Sequence, residues 1–255
     1  MDMLETLLTA NEAVTPSVVL VLIVASFFTS LMTATIGIGG GVLLLAVMAG
    51  SLPVAALIPV HGLVQLGSNG NRAVMTLKHI DRNMLKFFAL GAVIGAFLAS
   101  FVVVQLPLVF IQFAVAAFIL FLVWGSKPKA QEMKPAGRVM AGLVTTLVSM
   151  FVGATGPLVA AFVHRNNYSK MQITGTFASC MTLQHGLKAF VFTFVGFSFV
   201  QWAGLIVAMI VSGALGTFVG LKVLKRVPTQ KFMLAFKLVV TLLAFRLLWQ
   251  AFQSM

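Results

Sequence analysis

Apolar segments about as long as a membrane-spanning helix follow one another along most of the chain. They occupy residues 18–35, 42–65, 85–104, 108–124, 139–163, 173–200, 202–221 and 232–252. Most approach the ~20 residues that a helix needs to cross the hydrocarbon core, and none alternates strictly like a barrel strand. With 60% hydrophobic residues and a mean hydropathy of +1.07, the chain is far more apolar than a soluble domain. We predict an all-α polytopic membrane protein with about eight hydrophobic helical elements.

The sequence contains two versions of one unit. A glycine cluster at 36–42 is echoed in degenerate form at 152–158, so that Gly37 and Gly153 stand 116 residues apart. The same offset, held without a gap, places Arg72 opposite Lys188. A basic residue therefore recurs at one position of both halves. Interrupted helices at matching places in two halves of a membrane protein indicate a transport site.

Later landmarks of the two halves match at a longer offset. Gly95 corresponds to Gly216 at an offset of 121 residues, as a five-residue insertion in the second half would produce. The only long polar stretch in the interior lies at 127–135 and contains two prolines, which discourage a helix. We therefore predict a first transmembrane repeat at 18–125, a polar linker at 126–137 and a second transmembrane repeat at 138–253.

Three clusters of basic residues bear on the orientation of the repeats. They are the segment 78–86, the linker and the segment 222–226, and all three belong on the cytoplasmic side. An inverted arrangement of the repeats achieves this if each has an odd number of crossings. A re-entrant hairpin over 42–65, which contains Pro53 and Pro59, would supply it. Four full spans per repeat in parallel is the alternative, because the rule for basic residues is statistical.

The glycine clusters predict broken helices. Each glycine in a helix costs about 1 kcal/mol relative to alanine, so the first cluster is expected to be unwound. Freed backbone N–H groups at membrane depth are tolerated against protein or a polar cavity, where they bind anions. Close packing through small residues is the alternative explanation. The residues concerned are Gly37, Gly39, Gly40 and Gly41 in the first half and Gly153, Thr155 and Gly156 in the second.

Polar side chains follow each break and complete the predicted substrate-binding set. Such groups are costly inside a membrane, so they are functional candidates. Amides, hydroxyls, imidazole and fixed positive charge all donate to an oxyanion. The alternative for Arg72 and Lys188 is that they lie near helix ends and extend their charged groups to the membrane–water interface. These residues are Gln65, Ser68, Asn69, Asn71 and Arg72, then Thr182, Gln184, His185 and Lys188, with His61 as a further candidate whose counterpart Phe177 is apolar.

Carboxylates are missing from every apolar segment. The chain has five acidic residues, all in a terminus or a polar loop: Asp2, Glu5, Glu12, Asp81 and Glu132. Transporters of cations use membrane-buried acids, so we expect no metal site and an anionic substrate. The net charge of +12 comes from basic residues spread over loops and helix ends, which argues against nucleic-acid binding. No nucleophile and base pair, zinc motif or P-loop is visible, so we predict neither enzymatic activity nor a cofactor.

On these residues the chain resembles the TauE/SafE sulfite exporter family. The resemblance rests on residues 35–41, on the weaker motif at 153–157 and on a length that covers almost the whole chain. The second motif departs from the family pattern, because Ala154, Thr155 and Pro157 replace part of a glycine-rich run. Members of this family are bacterial inner-membrane permeases of small sulfur-containing anions such as sulfite and organosulfonates, generally without an ATPase partner.

The resemblance implies a multi-pass protein of the bacterial inner membrane that exports a small anion, sulfite or an organosulfonate or a related sulfur-containing anion. Its expected partners are this anion and the lipid bilayer. A homo-oligomer is one option for the oligomeric state, which the sequence leaves open. An anion channel or uniporter, or proton-coupled uptake of a small organic anion, is an alternative function. Outside transport, the alternative is a membrane scaffold that uses its glycines for packing alone.

Overall fold

The computed structural model of the protein describes residues 3–37, 39–103, 107–125, 133–163, 168–223 and 229–253, and in these ranges all regular structure is helical. Short 3₁₀ turns lie at Leu77–His79 and Val200–Trp202. The α-helices in chain order are α1 Met3–Leu8, α2 Pro16–Ile36, α3 Gly40–Ala49, α4 Val54–Met75, α5 Arg82–Ser100, α6 Leu108–Trp124, α7 Pro135–Val152, α8 Gly156–Val163, α9 Lys170–Phe194, α10 Ala203–Val223 and α11 Thr229–Gln253.

Within the described ranges, four helical segments are long and apolar enough to cross a membrane. They are Pro16–Ile36, Arg82–Ser100, Pro135–Val152 and Val200–Lys222, and the helices Gly40–Ala49 and Leu108–Trp124 are apolar but shorter. Large apolar side chains such as Leu20, Phe97 and Val207 are exposed on these helices. A soluble protein would bury such side chains, whereas a bilayer solvates them.

The first glycine cluster ends one helix and starts another. Gly37 follows α2 with a φ of +94°, and Gly39 precedes α3 with a φ of +100°, a region that L side chains rarely adopt. The start of α3 folds back on α2, because Gly40 lies directly against the Thr29 carbonyl and the Thr33 side chain. The chain therefore reverses direction here, and Ile38 lies outside the described residues.

The second glycine cluster also ends one helix and starts another. Gly153 follows α7 with a φ of +84°, and α8 begins at Gly156. At 1.5 Å per residue, α3 with 10 residues is about 15 Å long and α8 with 8 residues about 12 Å. Each therefore covers about half of the ~30 Å hydrocarbon thickness.

The apolar segments of the sequence do not all coincide with helices. The run 42–65 is divided, because α3 ends at Ala49 and α4 begins at Val54 after Pro53, while Pro59 lies inside α4. The run 139–163 is likewise divided between α7 and α8. The glycine motif had predicted the division of 139–163. For 42–65 a re-entrant hairpin and a full span both stayed open, because a turn built from small or apolar residues leaves hydropathy unchanged.

Parts of the predicted polar regions lie outside the described residues. Of the predicted linker 126–137, residues 126–132 are not described, and α7 already begins at Pro135. Proline suits the first turn of a helix because its missing N–H would have no partner there. Of the basic segment 222–226, Lys222 is described.

Helices α4 and α9 pack against each other at the centre of the molecule and run in opposite directions. The end of α4 at Thr76 contacts the start of α9 at Gly175, whereas Gly62, nearer the start of α4, contacts Lys188. Around this pair, α2 packs along α10, α5 along α7 and α6 along α11. Glycines lie in the α5–α7 and α2–α10 contacts.

Two of the glycine contacts have the same form. Gly95 of α5 lies against the carbonyl of Leu143 in α7, and Gly216 of α10 lies against the carbonyl of Phe27 in α2. A methyl group at either glycine would overlap the facing carbonyl oxygen. Small residues therefore allow the backbones of these helices to approach closely, as is typical of helix pairs in membranes.

Candidate functional site

A buried cavity lies where the two helix breaks meet α4 and α9. The cavity volume that the centre of a water molecule can reach is about 20 Å³. This is room for about one bound water. The larger side chains around it are almost fully buried. The lining residues are Thr33, Gly39, Gly41, Val42, His61, Gln65, Asn69, Ala154, Gly156, Pro157, Phe177, Met181 and His185.

Helix α4 supplies a polar wall to this cavity. His61, Gln65 and Asn69 follow one another at intervals of four residues, which places them on one helix face. His61 Nε2 lies 2.9 Å from the carbonyl oxygen of Gly41, to which it donates when Nε2 carries the proton. The Asn69 amide donates to Gln65 Oε1 at 3.1 Å, so the wall is internally hydrogen-bonded.

Helix α9 supplies the facing wall with the same spacing and a different chemistry. Phe177, Met181 and His185 also follow at intervals of four residues. The imidazole rings of His185 and His61 face each other with centroids 6.1 Å apart. Nδ1 of each ring is buried and has no hydrogen-bond partner among the described residues. This second wall is apolar at two of its three positions.

The N-termini of both short helices reach the cavity. Gly39 and Gly41 line it at the start of α3, and no side chain caps the N–H groups there. Gly156 and Pro157 line it at the start of α8. The first turn of a helix presents unpaired N–H groups and a partial positive charge, which favour an anion.

Lys188 is fully buried beside the second break. Its Nζ donates to the carbonyl of Gly153 at 2.6 Å, and its aliphatic part packs on Gly62 of α4. Gly153 is the cap residue that follows the last residue of α7, so the ammonium lies at the negative end of that helix. Lys188 therefore does not line the cavity and instead fixes the break that does.

Arg72 occupies the equivalent position in α4 and is only 1% exposed. Its Nη1 donates to Oδ1 of Asn69 at 3.1 Å, while its Nε has no partner in the described part of the chain. Neither Arg72 nor Lys188 forms an ion pair with a carboxylate of the described residues. Burying a charge without an opposite charge is expensive, so both cations favour a negative group nearby.

The remaining predicted polar residues, Ser68, Asn71 and Thr182, do not line the cavity. Ser68 bonds to Ser30 of α2 at 2.9 Å, and Asn71 is half-buried away from the cavity. Thr182 donates to the Ala178 carbonyl within α9.

Thr155 and Gln184 hold the second break on α9. The Thr155 hydroxyl donates to Gln184 Oε1 at 3.0 Å. The Gln184 amide in turn donates to Thr146 of α7 at 3.3 Å. These bonds tie the chain between α7 and α8 to both neighbouring helices, so Thr155 and Gln184 position the cavity wall.

Several lining residues were not among the predicted ones. They are Thr33, Val42, Ala154, Pro157, Phe177 and Met181. Phe177 and Met181 follow His61 and Gln65 by 116 residues, the offset that relates the two breaks. That offset was a signal that would have found them, but their apolar character excluded them from a search for anion ligands.

Comparison with known proteins gave one finding. A family model described as sulfite exporter TauE/SafE matches residues 22–247 of the 255-residue chain. This span includes both breaks and every residue that lines the cavity. No curated protein and no solved structure matched.

Proposed function

The chain belongs to the TauE/SafE sulfite exporter family, and on this premise we propose that it exports a small anion through the central cavity as a secondary transporter of the bacterial inner membrane. The proposed substrate is sulfite, an organosulfonate or a related sulfur-containing anion. One observation carries this proposal: the N-termini of both short helices, α3 and α8, line the same buried cavity. In transporters, such interrupted helices direct their N-termini at anionic groups of the substrate.

The charges around the cavity support an anion over a cation. Lys188 and Arg72 are buried next to residues of the cavity wall, and neither has a carboxylate partner among the described residues. The described acids are Glu5, Glu12 and Asp81, and none lines the cavity. An anion in the cavity therefore gains favourable interactions with both cations, whereas a cation is repelled.

We further propose that the chain consists of two inverted repeats, 18–125 and 138–253. The central helices α4 and α9 occupy equivalent positions in the duplicated sequence and pack in opposite directions, which supports inversion. The glycine contacts support inversion too. Gly95 of the first repeat contacts Leu143 of the second, and their equivalents, Gly216 of the second repeat and Phe27 of the first, contact each other in the same way. In this arrangement the transport site lies between the repeats, near the middle of the membrane.

An anion screen tests the proposed function. Purified full-length protein in detergent is heated with sodium sulfite, alkanesulfonates, thiosulfate, chloride or carboxylates, and the unfolding midpoint is measured. A ligand that binds only the folded protein adds about 2.7 kcal/mol of stability at one hundred times its dissociation constant. We expect sulfite or a sulfonate to raise the midpoint, and choline salts of the same anions to give the same shift.

Flux measurements complete this test. Protein in liposomes is expected to release the stabilising anion faster than liposomes without protein. If no anion raises the midpoint and no flux is seen, the protein is a membrane scaffold and the proposal is wrong.

A further inference from the structure

The two walls of the cavity differ at equivalent positions. His61 and Gln65 of α4 correspond to Phe177 and Met181 of α9. We propose that Phe177 and Met181 are specificity residues, which form an apolar subsite and select anions with a small apolar group over bare oxyanions. This inference rests on the proposed function and narrows its substrate class.

The apolar subsite surrounds the start of α8. A methyl group added at Gly156 would lie 3.6 Å from Cζ of Phe177 and 4.0 Å from Cε of Met181. Both side chains are about 95% buried, and Ala154 and Pro157 extend the apolar surface. Pro157 also removes one N–H group from the first turn of α8. An oxygen atom packed against the side chains of Phe177 and Met181 loses water and gains no donor from them, which is costly.

The start of α3 is polar by contrast. Gln65 Nε2 lies 3.4 Å from where a methyl group on Gly41 would be, and His61 bonds to the Gly41 carbonyl. The N–H groups of α3 are uncapped by side chains and are not blocked by a proline. The charged head of a substrate therefore binds at α3, and its apolar group points towards Phe177 and Met181.

A homologous series of ligands tests the subsite. Dissociation constants of methane-, ethane- and propanesulfonate and of sulfite are measured with purified full-length protein. For the wild-type protein we expect about fourfold tighter binding for the first added methylene, the effect of burying one CH₂ group. Sulfite is expected to bind more weakly than ethanesulfonate.

Variants of Met181 connect this gradient to the subsite. Met181→Gln keeps the length of the side chain and is expected to abolish the gradient while sulfite binds at least as tightly as to wild type. Met181→Leu should keep the gradient, which separates loss of apolar character from damage to folding. Met171→Gln is the matched control, because Met171 lies in the same helix outside the cavity.

The outcomes distinguish this inference from the proposed function. An equal gradient in wild-type and Met181→Gln proteins overturns the subsite, as does tighter binding of sulfite than of every sulfonate. Anion binding and transport would in that case still support the proposed function. If no probe binds to the wild-type protein, the proposed function fails and this inference fails with it.

Discussion

At the scale of single residues, two buried cations, Lys188 and Arg72, have no carboxylate partner among the described residues. Lys188 satisfies its charge with one backbone carbonyl, and Arg72 with one amide oxygen. Each of these acceptors is neutral, so each cation remains underpaired at the centre of the molecule. Such an arrangement lowers stability and is useful only if a negative group arrives.

Removal of either charge should separate binding from stability. We expect Lys188→Gln and Arg72→Gln to weaken anion binding about tenfold, or about 1.4 kcal/mol, since each removes a buried positive charge whose attraction for the anion is poorly screened. The ligand-free variants should unfold at temperatures close to wild type, because a costly buried charge is lost. Calorimetry gives both quantities, and the exposed Lys86→Gln serves as control. Wild-type affinity in both variants would refute the electrostatic role.

At the scale of helices, the sequence predicted a break at each glycine cluster, and the structure has one at each. The offset of 116 residues placed both glycine breaks at equivalent positions, and the structure brings both to one cavity. The turn between α3 and α4 lies in the run 42–65, for which a re-entrant hairpin and a full span both stayed open, because residues 49–53 are small or apolar and resemble a continuing span.

The site was predictable to a similar extent. His185, Gln65 and Asn69 were found because polar groups in apolar segments are conspicuous, and they line the cavity. Ser68 is just as conspicuous in the sequence, but its hydroxyl bonds to α2. Which face of α4 a residue occupies decides this, and that depends on packing with α2 and α9.

Equivalent glycines should make equivalent contributions to packing. We expect Gly95→Ala and Gly216→Ala each to destabilise the protein by about 1–3 kcal/mol, because the added methyl group overlaps a facing carbonyl oxygen. Gly186→Ala is the control, since its nearest neighbour outside the helix, Leu66, would be at 3.8 Å. Alanine also favours helix by about 1 kcal/mol over glycine. Thermal unfolding measures all three, and tolerance of alanine at Gly95 or Gly216 would contradict the close contact.

At the scale of the whole molecule, helix directions determine which chain segments share a side. Helix α10 runs parallel to α2, because Ser212 bonds to Ile23 and Gly220 contacts Leu31. Since α3 folds back on α2 and α4 returns, α4 runs in the direction of α2. The start of α5 at Arg82 and the end of α10 therefore lie on one side.

Thiol labelling tests this arrangement. Single cysteines are placed at Arg82, Lys222 and Gln253 in a Cys180→Ala background, which removes the buried native thiol. With an impermeant reagent and intact cells, we expect Arg82→Cys and Lys222→Cys to be protected. Gln253→Cys should be labelled, because it lies with the turn between α3 and α4 at the opposite end. Labelling of only one of the two basic positions would contradict inverted repeats and support parallel ones.

The proposed export of an anion can be driven by the membrane potential. An anion that leaves a cell with a negative interior gains about 2.3 kcal/mol per charge and 100 mV, so no proton partner is required. We predict that a potassium diffusion potential alone drives anion flux from liposomes. His185→Gln should reduce this flux through loss of a hydrogen-bonding group in the cavity and keep its dependence on voltage. The exposed His79→Gln is the control and should behave like wild type. A different result would contradict this prediction: at zero potential the wild-type flux requires a proton gradient, and the His185→Gln flux does not. Such a result would identify a proton-coupled transporter with His185 as its proton carrier.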